Sequence, residues 1–188
     1  MLVLGCDPGV TGCCALVDVD ACRVLDILDM PIIRAGKLAW IDGAVLGDWL
    51  EPLRPDLAVV ELVNYWRGDP HPGRTAEMCR LAGGLEAVLS ALSIPICHAT
   101  PSAWKRRAGL IGKPKDAALP LASARLQWPA GALRLAKHHN RADSGLLALY
   151  GRAPPPAAPK PPKRSKAVDN ATAAAMAAPV MPLFGGDR

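Results

Sequence analysis

Nowhere does this 188-residue chain run for the roughly 18 uncharged apolar residues that a membrane-spanning helix needs, although 51% of its residues are hydrophobic. No membrane span is expected, and the apolar residues are free to build the core of one domain of ordinary size. The start lacks a basic stretch followed by a cleavable apolar segment, so a cytoplasmic location is expected. A disulfide framework or thiolate metal site is equally unsupported. The six cysteines include no C-x-x-C pair and sit in apolar, strand-like or helix-like settings, where they read as reduced, buried small hydrophobes.

Acids are scarce in the second half. Residues 1–100 carry 7 basic and 13 acidic side chains, a net −6; residues 101–150 carry 9 and 2, a net +7; residues 151–188 carry 6 and 2, a net +4. A chain divided in this way can hold a cation with its first half and a polyanion with its second. A merely solvated basic helix face is the alternative.

Leu2 to Cys6 and Gly12 to Val19 read as strands joined by the Pro8-Gly9 turn, with a third strand from Arg23 to Met30. Leu38, Ile41, Val45, Leu46, Trp49, Leu50 and Leu53 fall at helical spacing and predict a helix over 38–53, closed by Pro52 and Pro55. "LAVVELV", Leu57 to Val63, is a continuous apolar run of the kind found in strands covered on both faces. A helix from Thr75 to Leu92, a strand from Ile94 to Ala99 and helices over Pro101 to Arg107, Asp116 to Gln127 and Ala142 to Tyr150 complete the pattern. It describes an α/β fold with a mixed sheet. Beyond Arg152, "APPPAAPKPPKRSK" loses helix and strand donors to proline, so 1–152 is expected to fold and 153–188 to be a disordered basic tail.

Three carboxylates sit where a charge is costly or conspicuous: Asp7 ending an apolar strand, Glu61 inside another, and Asp143 at the start of the last helix. Asp7 can also serve by bonding the turn amides after it, and Asp143 by meeting the positive end of a helix. If the strands of Asp7 and Glu61 are neighbours and the last helix crosses them, the three acids converge. Acids that close repel unless a cation lies between them. Hard divalent ions such as Mg²⁺ or Mn²⁺ suit carboxylate oxygens, and two of them about 4 Å apart support phosphodiester hydrolysis. His138, His139 and Asn140 supply further ligands or a base.

On "GCDPGVTGCCALVD", "AVVELV", "GGLEAVL", "TPSAWKRRAGLIGKPKDAA" and "HNRADSGLLALYGR", residues 2 to 152 resemble the RuvC-type Holliday junction resolvases of the ribonuclease H-like superfamily, especially phage and prophage forms. The resemblance implies a ribonuclease H-like mixed five-stranded sheet, its first three strands antiparallel and the rest parallel, flanked by helices. It implies a bacterial, phage or prophage endonuclease that nicks four-way junctions in symmetric pairs, leaving 5′-phosphate and 3′-hydroxyl ends. Asp7, Glu61, Asp143 and Lys115 are then catalytic, and two Mg²⁺ or Mn²⁺ ions bind Asp7, Glu61 and Asp143 with Asn140 and His139. Asn140 stands where the family carries an acid or histidine; it can ligate through its carbonyl but cannot act as a base, so either His139 or His138 substitutes or the second metal binds weakly. Asn140→Asp is accordingly expected to cut as well as the parent or better.

Lys105, Arg106, Arg107, Lys113 and Lys115 can neutralise phosphates. Tyr65 and Trp66, in a loop like the family's junction-probing loop, can stack on an unpaired base. A two-fold substrate calls for a homodimer, with Gly83-Gly84 as a candidate close-packing face. "VMPLF", Val180 to Phe184, resembles a sliding-clamp-docking peptide without its leading glutamine. Rival readings are a nuclease for forks or flaps, a junction-binding protein with weakened catalysis, and an actin-like kinase or ATPase, which needs two such domains and a second phosphate loop.

Overall fold

The structure, a computed structural model, describes residues 1–63, 69–135 and 138–152. β1 (Leu2–Asp7), β2 (Cys13–Asp18) and β3 (Arg23–Asp29) form the antiparallel meander. β6 (Leu57–Glu61) lies parallel to β1, and β7 (Ile96–Ala99) parallel to β6, so the five-stranded sheet runs β3-β2-β1-β6-β7. This is the mixed sheet expected. The β1–β2 turn is closed by Gly9 N donating to Asp7 O at 3.0 Å and Gly12 N donating to Gly9 O at 2.8 Å. Gly12 is required there, since a Cβ would stand 2.0 Å from Asp7 O.

Strand alternation divides the core in two. Val3 and Val59 face α3 (Pro101–Arg107), α4 (Ala118–Arg125) and α5 (His139–Tyr150), in a cluster with Trp104, Ala122, Leu146 and Leu147. Leu4, Cys6, Ala58 and Val60 face α1 (Gly43–Leu50) and α2 (Pro72–Ala91), packing with Leu46, Leu50, Leu85 and Leu89. With both faces covered, β1 and β6 need continuous apolar runs, which is why Asp7 and Glu61 stood out. Each buried leucine contributes about 1.5–3 kcal/mol relative to exposure.

Helix α5 comes unusually close to β1. A Cβ on Gly5 would lie 1.9 Å from Ser144 O and 2.8 Å from Ala148 N, main-chain atoms that cannot turn away. Ser144, fully buried, spans the gap by donating from Oγ to Cys13 O at 2.8 Å.

The predicted helix over 38–53 is wrong in its first third. Leu38–Ile41 is strand β5, paired with β4 (Ile32–Ala35) in a separate hairpin, and only Gly43–Leu50 is helical. Gly36, at φ +59°, makes the turn. Asp42 then starts the helix by accepting from Val45 N at 3.2 Å. The helical spacing of Leu38 and Ile41 was coincidental, because Ile41 packs against Gly84 of α2 instead. That contact covers Gly84, half of the Gly83-Gly84 face expected for a dimer, with the chain's own hairpin. Other boundaries moved less. The 3₁₀ turn Lys115–Ala117 precedes α4, which stops at Arg125, and α5 begins at His139, three residues earlier than expected.

Cysteines also departed from expectation: Cys6, Cys13 and Cys14 are buried, but Cys22 and Cys79 are exposed. Among the described residues no helix is long and apolar enough to cross a membrane.

Two outcomes follow from this packing. Gly5→Ala should destabilise the fold by about 3 kcal/mol or more, read from the urea midpoint. In the native protein a thiol reagent should modify Cys22 and Cys79 rapidly while Cys6, Cys13 and Cys14 react only on unfolding. Burial holds the Cys13 thiol far above its usual value, and the hydrogen bond to Cys6 with burial does the same for Cys14.

Candidate active site

Asp7 and Glu61 are the last residues of β1 and β6, and the parallel register Cys6↔Val60 brings the next residue of each strand side by side. Alternation turns both to the face that Val3, Gly5 and Val59 present, the face covered by α5. Glu61 was expected inside its strand; it ends it. The carboxylates therefore stand at the carboxyl ends of neighbouring parallel strands, where open α/β sheets leave a crevice. Both are half-buried, as is Asp143. Asp143 precedes Ser144, whose carbonyl sits against Gly5, so α5 carries it across the same face as Asp7.

Glu61 has a partner that sequence reading missed. Trp104 Nε1 donates to Glu61 Oε1 at 2.8 Å. The indole is 1% exposed, and the ammonium of Lys105 lies 5.2 Å from its ring centroid. Trp104 lies within the quoted basic stretch, but only the meeting of α3 with the end of β6 gives it this role.

The first two turns of α5 are tied to the strand ends and the β1–β2 turn by three side chains. Asn140 Nδ2 donates to Thr11 O and, at 3.1 Å, to Thr11 Oγ1. Arg141 forms a two-pronged pair with Asp29, Nε to Oδ1 at 2.7 Å and Nη2 to Oδ2 at 2.5 Å, and also donates to Ala132 O. Asp29 holds the guanidinium above its already high value, against a smaller opposing effect of burial. Ser144 completes the set through Cys13 O.

His139 and Asn140 line two clefts, both bordered by Val10, Thr11 and Gly12 of the β1–β2 turn. One, of about 290 Å³, contains Asp7, Arg74 and Glu77; the other, of about 320 Å³, contains Asp29, His138 and Arg141. Arg74 and Glu77 of α2 were not singled out in the sequence, where they are ordinary helix charges. His138 Nδ1 accepts from Leu135 N at 3.3 Å.

The basic residues are less gathered. Lys105, Arg106 and Arg107 occupy the last turn of α3. Arg107 uses Nη2 to donate to Gly151 O at 3.1 Å, fastening α3 to the end of α5. Lys113 is exposed, and Lys115 opens the 3₁₀ turn, its side chain outside the described parts. Tyr65, Trp66 and Val180 to Phe184 also lie outside the described residues.

The carboxylates of Asp7, Glu61 and Asp143, with the Asn140 amide nearby, fit a hard, oxygen-seeking divalent ion in donor chemistry. Among the described residues, however, no three His, Cys, Asp or Glu side chains are gathered closely enough to hold a metal ion. The acids share a face without closing into a ligand set. Like charges keep such a distance unless a cation intervenes.

No protein-family model matches the chain, and no curated protein matches it. The chain is similar to the solved structure of RuvC from Thermus thermophilus, 18% identical with a TM-score of 0.53 over 80% of this chain and 92% of that one. It is similar also to T. thermophilus RuvC in complex with a Holliday junction substrate, 16% identical with the same TM-score and coverage. At these identities what is shared is the architecture, and the chain has the ribonuclease H-like fold of RuvC.

Proposed function

We propose that this protein is a metal-dependent, structure-selective DNA endonuclease that resolves four-way junctions by paired nicks. The observation that carries the reading is the placement of Asp7 and Glu61 on adjacent parallel strand ends, facing the helix that bears Asp143. Its support from outside is the fold shared with RuvC, one structure of which holds a Holliday junction.

In this reading Asp7, Glu61 and Asp143 hold two Mg²⁺ or Mn²⁺ ions, with Asn140 and His139 as further ligands. Ions so placed supply activation of a water and stabilisation of the leaving oxygen. The chain's own residues do the rest. The acids keep a negative pocket that no phosphate enters without a cation. Lys105, Arg106, Lys113 and Lys115 neutralise the flanking backbone, each contact releasing counterions. Tyr65 and Trp66 stack on an exposed base at the branch. Cleavage leaves 5′-phosphate and 3′-hydroxyl ends. Because a four-way junction is nearly two-fold symmetric, symmetric nicks require two copies of the site and hence a homodimer.

Nicking of a synthetic four-way junction, a Y-fork and a linear duplex in Mg²⁺ tests the proposal. Cleavage of the junction in preference to both others is expected; equal cutting of the fork would make it a general branched-DNA nuclease. Asp7→Asn should give no detectable cleavage yet bind the junction normally in a gel-shift assay. Lys113→Ala should weaken binding to all junction sequences alike and lower the slope of log affinity against log salt by about 1.

Asn140→Asp bears on the departure from the family pattern. The Asn140 amide is committed to Thr11; a carboxylate there would face the Thr11 carbonyl, which cannot turn to donate. Apart from its effect on cutting, Asn140→Asp should lose about 1–3 kcal/mol of stability by denaturant titration.

A further inference from the structure

The geometry points to Trp104 as the positioning residue of Glu61, and to the Trp104 indole as the joint between the metal-binding acid and the phosphate-binding Lys105. The inference rests on the nuclease reading above and adds to it a residue that meets both the acid and the lysine.

The placement begins in the backbone. β7 ends at Ala99, paired with Glu61. Thr100 caps α3, its hydroxyl accepting from Ala103 N at 3.2 Å, and Pro101 presets the first helical turn. The helix thus starts beside the end of β6, and its fourth residue, Trp104, returns over it. The ring is locked in the core cluster with Val59, Ala142 and Leu147. A rotamer fixed by packing is what an orienting group needs.

Indole suits the task chemically. A buried carboxylate must find donors, and most donors of comparable reach are cationic. An arginine or lysine at this position would neutralise Glu61 and compete with any cation for it. The indole N–H is a single neutral donor. It fixes Oε1 at 2.8 Å and leaves the charge of the carboxylate and its second oxygen available. Outer contacts of this kind orient a ligand before the ion arrives, and their loss typically reduces metal affinity 10- to 100-fold.

A face of the indole holds Lys105. Its Nζ lies 5.2 Å from the ring centroid, within cation–π range. One rigid ring therefore sets both the carboxylate that meets the ion and the ammonium that meets the phosphate.

The test reads the indole itself. In the ¹⁵N-labelled protein the Trp104 side-chain resonance, identified among five tryptophans by its loss in Trp104→Phe, should move when Mg²⁺ is added and stay still in Glu61→Gln. Trp104→Phe removes the N–H but keeps a ring face beneath Lys105, so it should raise the Mg²⁺ concentration for half-maximal cleavage about tenfold, while junction affinity measured without metal changes less than about twofold. An indole resonance that ignores Mg²⁺ in a cleaving parent, or a Trp104→Phe protein with the parent's Mg²⁺ dependence, overturns the inference and leaves the nuclease reading intact. Cleavage at the parent's rate by Glu61→Gln overturns the proposed site and the inference together. Should Trp104→Phe fail to fold, the resonance is assigned by its change in Glu61→Gln, and the Mg²⁺ titration of the parent decides.

Discussion

Helix α5 can lie on the sheet only because Gly5 has no side chain. At that crossing the main chain of Ser144 occupies the space a Cβ would need, and from it the rest of the site takes its dimensions. One turn toward the helix start, Asn140 reaches Thr11; beside it Arg141 reaches Asp29; Ser144 itself reaches Cys13 O. These contacts draw α5 toward the carboxyl ends of the strands, where Asp7 and Glu61 stand. A longer interaxial distance would open gaps around the buried apolar residues of α5 and would carry Asp143 away from both acids.

Around that crossing the charges are arranged against stability. Asp7, Glu61 and Asp143 are each half-buried, and like charges carried to one face repel. Trp104 donates to Glu61 without adding a positive charge. The cations nearest in sequence are used elsewhere or held off: Arg107 fastens the end of α5, and Lys105 is kept over an aromatic face. The separation of an acidic first half from a basic second half follows the same division, since the strand ends come mostly from the first and the helices that follow β7 from the second.

Legibility varied with how local the cause was. The β1–β2 hairpin and both central strands could be read because apolar runs and a Pro-Gly turn are signals carried by neighbouring residues. Strand β5 was mistaken for helix because Leu38, Ile41 and Val45 meet a helical period by chance; what holds β5 in place is Ile41 against Gly84, more than forty residues away. Asp7 and Glu61 announced themselves as charges in apolar runs. Trp104 did not, since an aromatic residue in a short basic helix looks the same whether it meets a carboxylate or a leucine. Arg74 and Glu77 were equally mute: only the cleft they share with Asp7 distinguishes them from a solvated helix face.

By itself, then, the sequence determined that there is an α/β domain with three conspicuous acids, a basic stretch after them and a proline-rich end, because burial, turn geometry and charge are written in runs of adjacent residues. Only the tertiary structure decided that Glu61 ends its strand instead of lying within it, that the amide nitrogen of Asn140 is engaged by Thr11, and that an indole holds Glu61. Those outcomes depend on which helix crosses which strand and at what distance, and that is set by contacts between residues far apart in the chain, beginning with an absent methyl group at position 5.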